Sequence, residues 1–467
     1  MWVSTRQPGM KVIIVGAGDV GSVSANTISQ IHDVLIIEKN EDIAEMVKSR
    51  LNVSVYVADG TNPQVLAFCI STHGADIVLA STDDDAKNLF ICMMVDRIDP
   101  HIRTVASVTD PDFIIQKSSQ GFPGIDFIIT PELIAAKKMY RLATLENAVD
   151  YELLESMGTA VCIFSIQSFH KVVGKIVMEL PLPANCTVFG IYRDGKLYTR
   201  VDTMDIRPGD HIAIFGEDND ITEVNDIIGV YDNNKEFAIL GGSIAGFRLA
   251  KMLSGYSKAH AIKIVDKDTR LCNIMSKNLD HVMVVNADFT DPEIQQSENL
   301  FKADCTLLAS RKDDTNLLLS MAGQKYKARK LVARYSKKEY EDVFMYTGLD
   351  SLIGYPTIIS NEITKIFISD ETALVRLRNP SEMFFTYTVT EKSKILDKYL
   401  GDLTVPEGVR IVGVQRKDPN ISDNDKQTIY PKLDLKIQLK DAVIVFTCVR
   451  DSSILAELFG RESLPEL

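Results

Sequence analysis

Lys11-Val12-Ile13-Ile14-Val15-Gly16-Ala17-Gly18-Asp19-Val20-Gly21 runs an apolar stretch into a G-x-G-x-x-G motif, and its reading decides the fold. Val12–Val15, ending at glycine, predicts a short buried strand, and Val20–Ile28 then reads as a helix. The three glycines meet three demands: Gly16 permits the tight turn, Gly18 lets backbone approach a pyrophosphate, and Gly21 lets helix and strand pack closely. Ala17, Asp19 and Val20 complete the loop. Free N–H groups and the positive dipole end at the helix start suit a phosphate. Glu38 follows the next apolar run, Val34–Ile37, where a carboxylate accepts both hydroxyls of an adenosine ribose. That charge favours NAD over NADP, and neighbouring Lys39 softens the preference. A turn whose glycines serve packing alone is the structural alternative.

The alternation continues outward. Ile43–Ser49 reads as helix, Val53–Val57 as a third run, Ile77–Ala80 as a fourth, Asp85–Val95 as helix and Thr104–Val108 as a fifth run. Asn62-Pro63 supplies an N-cap followed by proline at the first helical position. Short β-rich runs alternating with helices imply a doubly wound parallel sheet of Rossmann type. From about Val161 the pattern changes. Val161–Ile166, Val188–Tyr192, Leu197–Thr199 and His211–Phe215, punctuated by Gly and Pro, read as a small β-rich domain.

All of this occurs twice. Ala58-Asp59-Gly60-Thr61-Asn62-Pro63 returns as Ala287-Asp288-Phe289-Thr290-Asp291-Pro292, and Leu79-Ala80-Ser81 returns as Leu308-Ala309-Ser310. Asn88-Leu89 maps onto Asn316-Leu317, and Lys11–Gly16 onto Glu236–Gly241. A nearly constant offset of about 230 residues marks an internal duplication. A weaker echo joins Gly190-Ile191-Tyr192-Arg193 to Gly413-Val414-Gln415-Arg416, and Gly209-Asp210 to Lys440-Asp441. The expected class is α/β: duplicated Rossmann-like sheets, each followed by a small α+β domain. Expected domains are a disordered extension at 1–10, Rossmann units at 11–145 and 235–375, and small domains at 150–231 and 383–467.

The second loop departs from the first. Gly241-Gly242-Ser243-Ile244-Ala245-Gly246 keeps the outer glycines but places Ser243 where the second belongs, and its Cβ crowds a pyrophosphate. Asp266 still ends the second strand where a ribose would sit. Arg311 and Lys312 replace Thr82 and Asp83 at the mouth of the fourth strand, where they can neutralise phosphate. A degenerate structural copy and a live second site both fit.

The 467 residues carry 45% hydrophobic and 25% charged residues, an ordinary globular balance with material for several cores. A net charge of −13 argues against duplex nucleic acid or anionic lipid as the main partner. Seven scattered cysteines, with no Cys-x-x-Cys pair, argue against zinc and a disulfide framework and fit a reducing compartment. No apolar run approaches the roughly 18–20 residues of a membrane span, and the start lacks the apolar segment of a secretion signal. The expectation is a soluble intracellular protein.

With these residues assembled, the chain resembles the family of Trk-type potassium-uptake regulatory proteins, built of paired RCK (KTN) domains. The resemblance rests on Gly16–Gly21, Glu38, Ala58–Thr61 with Pro63, Leu79–Asp83 before Asn88-Leu89, and Thr130-Pro131-Glu132-Leu133 opening a helix. The tandem order extends it over nearly all of residues 11–467. It implies RCK C-terminal-type small domains and a fold without catalytic machinery. It further implies NAD(H) in the first half, with an adenine nucleotide or none in the second. Four chains would form a ring of eight Rossmann domains beneath a membrane potassium channel or transporter subunit of TrkH/TrkG type, at the inner face of the cell membrane. By resemblance, Gly16–Val20, Glu38, Thr82 and Asp83 line the first site. Asp59 either sits near the adenosine or serves its own turn. Family members commonly place an arginine on phosphate after the fifth strand. Here copy two has Arg334 in Ala333-Arg334-Tyr335, but copy one has Ser107 in Ala106-Ser107-Val108. The segment Glu132–Leu145 is either a crossover pairing element or an ordinary helix on its own sheet.

The alternative is an NAD-dependent oxidoreductase, which shares the fingerprint. It would need a general acid or base placed against substrate. The seven histidines show no partner pattern, and Tyr326-x-x-x-Lys330 is a match of the kind 15 tyrosines produce by accident. The sequence reading is therefore a sensor rather than an enzyme, with a purely structural scaffold as the third possibility.

Overall fold

In a computed structural model of the chain the described residues are 9–110, 123–154, 158–229, 235–367, 374–377, 381–417, 426–432, 434–449, 455 and 458–459. Residues 1–8 of the expected N-terminal extension and the last eight of the expected final domain, 460–467, lie outside them.

β1 (Lys11–Val15) runs between β2 (Asp33–Glu38) and β4 (Ile77–Ala80) in a parallel sheet completed by β3 (Ser54–Val57), β5 (Arg103–Ser107) and β6 (Phe127–Ile129). The strand order is β3-β2-β1-β4-β5-β6. Val12, Ile13 and Ile14 are all fully buried, as a strand covered by helices on both faces requires. The covering helices are α1 (Asp19–Ile28), α2 (Glu41–Arg50), α3 (Pro63–His73) and α4 (Asp85–Ile98). Asn40, Asn62 and Asp84 cap the last three by accepting from backbone N–H groups, and Pro63 opens α3. The order reverses beside β1, which opens a crevice at the carboxyl ends of the strands.

After α5 (Pro131–Thr144) comes an antiparallel sheet of β7 (Ala148–Leu154), β8 (Thr159–Ser165), β9 (Cys186–Arg193), β10 (Lys196–Tyr198) and β11 (His211–Glu217), closed by α6 (Asp218–Ile228). The second Rossmann sheet holds β12 (Glu236–Leu240), β13 (Ala261–Asp266), β14 (Met283–Asn286), β15 (Cys305–Leu308), β16 (Leu331–Tyr335) and β17 (Ser351–Gly354). Its helices are α7 (Ile244–Ser254), α8 (Thr269–Asn278), α9 (Pro292–Ser297), α10 (Asp313–Lys325), α11 (Glu341–Met345) and α12 (Tyr355–Phe367). The last sheet holds β18 (Leu374–Arg376), β19 (Met383–Thr388), β20 (Val409–Lys417), β21 (Lys426–Ile429) and β22 (Ala442–Thr447). Each pair of sheets repeats one strand order, β14-β13-β12-β15-β16-β17 matching the first and β21-β20-β22-β19-β18 matching β10-β9-β11-β8-β7.

The faint echo between the small sheets has a physical cause. Arg193 donates through Nε and Nη2 to both oxygens of Asp210, each at 2.7 Å, and Arg416 does the same to Asp441 at 2.8 Å. Both aspartates are 1% exposed. A bidentate pair with one carboxylate buried tolerates few substitutions on either side. The two small sheets then pack on each other through Phe189, Phe384 and Phe446, whose ring centres lie 4.7 to 5.1 Å apart.

The two Rossmann units exchange their last helices. Ala135, Ala136, Met139, Leu142 and Ala143 of α5 share a core with Phe237, Ile239, Ala245, Leu249 and Leu253 of the second unit. Ile359, Ile363 and Ile366 of α12 fill the core of the first unit beside Val12, Ile14, Ala25 and Ile28. Thus α5 lies on α7 and α12 lies on α1. Three alanines on α5 allow the close approach.

Where α5 leads into β7, the chain is held by Lys330. Its Nζ, buried, donates to the carbonyls of Leu145, Glu146 and Ala148 at 2.8, 3.0 and 2.8 Å. Burial pulls the ammonium's pKa down, and the three carbonyls use all three of its protons. Lys330→Met leaves those carbonyls without this donor and is expected to cost about 3 kcal/mol. A thermal melt of the full chain checks it: an unchanged midpoint contradicts the assignment.

Candidate functional site

At the carboxyl ends of β1, β2 and β4 a cleft of about 510 Å³ is lined by Gly16, Gly18, Asp19, Val20, Glu38, Asp59, Thr82 and Asp83. The fold therefore brings together most of the first-half residues named from the sequence. The cleft also takes in residues that sequence reasoning passed over. Lys87, on the first turn of α4, adds a cation, and Ile37, Ile43 and Ala58 supply apolar wall. Lys87 was legible only as a helix residue, since nothing in its spacing marks it as facing the crevice.

The three glycines separate cleanly by what a side chain would meet. Gly16 has φ +96°, and a Cβ there would lie 2.8 Å from the Ser81 carbonyl oxygen. At Gly21 a Cβ would come within 1.9 Å of the Gly16 carbonyl oxygen. Folding alone thus demands the first and last glycines. A Cβ on Gly18 would meet nothing within 4 Å. Packing gives no reason for this glycine, and its bare backbone opens onto the cleft. Gly18 is also the N-cap of α1 and makes no side-chain cap bond, so the helix N-terminus faces the cleft without a side-chain cap.

Glu38, 7% exposed, accepts from Ala17 N–H at 2.8 Å through one oxygen and from Asn40 N–H at 2.9 Å through the other. The carboxylate holds the glycine loop to the end of β2. Each oxygen retains a second acceptor site, which is what ribose hydroxyls would use. Thr82 is clamped by Asn88, whose Oδ1 accepts from Thr82 N–H at 2.8 Å and Oγ1–H at 2.7 Å. Asn88 Nδ2 donates to the Ser107 carbonyl at 2.9 Å, tying the fourth and fifth strand ends together. Ser107 itself is buried. Asp59 accepts from both the N–H and the Oγ1–H of Thr61, at 2.9 and 2.7 Å, and these bonds hold its carboxyl below the usual carboxylate range. Asp288 and Thr290 repeat that turn with 3.0 and 2.6 Å. The conserved geometry within the chain makes Asp59 a turn residue that also borders the cleft.

The second loop keeps this frame and adds a side-chain cap to it. Gly241 has φ +116°, and Gly246 would place a Cβ 2.2 Å from the Gly241 carbonyl oxygen. Gly242 N–H donates to Asp266 at 2.6 Å, as Ala17 does to Glu38. Ser243 differs from Gly18. Its Oγ accepts from Gly246 N–H at 3.2 Å and donates to the Ala309 carbonyl at 2.7 Å, so a side chain caps the N-terminus of α7. Ile244 and Ala245 form the first turn behind it.

Arg334 is placed away from the expectation of a phosphate partner. It is 2% exposed; its Nη1 donates to Glu132 at 3.0 Å, and its guanidinium lies 3.8 Å from the centre of the Tyr355 ring. Tyr355 O–H donates to the same Glu132 oxygen at 2.5 Å. Glu132 opens α5 and Tyr355 opens α12, so this arginine ties the two exchanged helices together. Arg311 is exposed at the end of β15. The Tyr326 and Lys330 pair is spent on structure: Tyr326 stacks on Phe301 at 5.6 Å, and Lys330 holds the three carbonyls described above.

The TrkA-N domain model matches residues 12–131 and again 237–354, and the TrkA-C domain model matches 163–229. The chain is 27% identical over 459 residues to "Trk system potassium uptake protein TrkA homolog 1" of Methanosarcina mazei, covering 96% of this chain and 100% of that protein. A TrkA homolog of Archaeoglobus fulgidus is 27% identical over 455 residues, again covering 96% and 100%. Among solved structures, the GsuK channel bound to NAD superposes with a TM-score of 0.62 at 16% identity, covering 98% of this chain and 79% of that one.

The contrast between the glycines is testable without any ligand. Gly18→Ala is expected to change stability by less than about 0.5 kcal/mol, whereas Gly21→Ala costs about 3 kcal/mol or more. Equal destabilisation of the two variants in thermal melts would show that Gly18 serves packing after all.

Proposed function

This chain belongs to the TrkA family, and on that premise we propose that it is the nucleotide-sensing subunit of a Trk-type potassium-uptake system. NAD(H) occupies the first Rossmann half and biases a membrane potassium channel or transporter of TrkH/TrkG type. The observation that carries this reading is the open loop at Gly18: α1 begins with no side-chain cap, beside the Glu38 carboxylate, over a cleft of about 510 Å³. The second half, capped by Ser243, takes a dinucleotide weakly or not at all and acts as the rigid partner of the first. Its Arg334 joins the halves instead of binding phosphate. Among the described residues no helix is long and apolar enough to cross a membrane. On this proposal, attachment at the inner face of the membrane runs through the partner. Ligand binding acts as a bias between domain arrangements.

Assembly into a homotetramer is supported by a repeated surface. On α4, Phe90 and Met93 are 47% and 51% exposed, and on α10 the matching residues Leu318 and Met321 are 65% and 57% exposed. Apolar pairs at the same position of both units are what a ring of alternating units would bury between neighbouring chains.

Calorimetry on the full chain is expected to show NAD or NADH binding at least about ten-fold tighter than NADP, with Glu38→Ala removing most of that difference. NADP binding equal to NAD removes the role given to Glu38. Light scattering is expected to report tetramers, which the double variant Phe90→Asp, Leu318→Asp breaks into smaller species. A monomeric native chain contradicts the ring.

A further inference from the structure

A second cavity, of about 830 Å³, lies where three units meet. Val149 and Ile163 come from the first small sheet, Leu377 and Cys448 from the second, and Phe344 and Leu352 from the second Rossmann unit. It shares no residue with the nucleotide cleft. Its size matches that of sites for small organic molecules, and junctions between units are where such sites occur.

Its chemistry is opposite to that of a phosphate site. Among the described lining residues the carboxylates are Asp150, Asp350, Glu382 and Glu407, against one lysine, Lys196, and one histidine, His211. No helix N-terminus from a glycine loop enters it. Glu382 is the most enclosed of the four at 6% exposed, and it accepts from Tyr192 O–H at 2.6 Å, a bond that spans the two small sheets. Burial and the Glu382 charge push the Tyr192 hydroxyl's pKa well up, so it stays a donor. Tyr192 and Tyr198 also line it, and aromatic rings attract cations. Among the described residues no three His, Cys, Asp or Glu side chains gather closely enough to hold a metal ion. The carboxylates share the cavity wall with apolar Val149, Ile163, Leu349 and Leu377, a lining that suits an organic cation with an apolar body.

We propose that this cavity is a second ligand site, taking an organic amine with an apolar or aromatic body. Because its wall is drawn from three units, an occupant stabilises one arrangement of the small sheets against the second Rossmann unit. The site is independent of the nucleotide reading, and so is its test.

Three probes with one indole body separate charge from shape: tryptamine, 3-methylindole and indole-3-propionate, titrated calorimetrically into the full-length protein. Tryptamine is expected to bind with a Kd below about 1 mM and about ten-fold or more tighter than the anion. Glu382→Gln is expected to weaken tryptamine at least about five-fold, and Leu349→Trp, which fills the cavity, to abolish binding. Thermal melts show whether each variant is folded. Should Glu382→Gln unfold, the preference of the native chain for cation over anion and the filled variant still decide. No binding of tryptamine, equal binding of the anion, or tryptamine binding undiminished by Leu349→Trp overturns the proposal.

Discussion

The exchange of α5 and α12 between the Rossmann units is the constraint from which the rest of the molecule follows. Neither unit completes its own core: the face of β1 and β2 is closed by Ile359, Ile363 and Ile366 from the far half of the chain. The other sheet is closed by the alanine-rich face of α5. Burying several aliphatic side chains at each contact is worth roughly 1.5–3 kcal/mol per residue before entropy is counted. A duplicated unit that swaps a helix cannot lose either copy, even where the two loops differ in sequence. The Glu132–Arg334–Tyr355 cluster sits where the two exchanged helices begin, and it fixes their starting geometry.

That arrangement explains why the two loops have diverged without diverging in fold. Gly16, Gly21, Gly241 and Gly246 are held by sterics alone, since a Cβ at any of them meets backbone at 2.8 Å or less. The position between them is free of that demand, and one copy keeps glycine while the other has serine. Serine there supplies its own cap to α7. On the proposed reading the first half pays for ligand sensitivity with an uncapped helix, and the second gains stability by giving it up.

Much of the fold was legible because it is written in periodicity. The strands of the first unit begin and end within a residue or two of the runs read from the sequence, and the duplicated motifs locate the second unit. What escaped was short or two-faced. β6 has three residues, and β7 carries Asp150 and Glu152 between apolar positions, so neither stands out as a run. The loop residues of the candidate site were readable from spacing, and Gly16, Gly18, Asp19 and Val20 line one cleft with Glu38. Arg334 was not: its fate depends on Glu132, about 200 residues earlier, and on the helix exchange, which no local pattern records. Lys330 likewise finds its carbonyls only because α5 leaves its own unit. Position along the chain is visible in sequence, but which unit a helix completes is not.

If the exchanged helices couple the halves, occupation of the first loop must be felt beyond it. Hydrogen–deuterium exchange of the full chain with and without NAD reads this directly, peptide by peptide. The account predicts added protection at residues 16–21 and also along α12, residues 355–367, which packs on the helix that starts at the loop. Protection confined to the loop and the end of β2, with α12 unchanged, would contradict it.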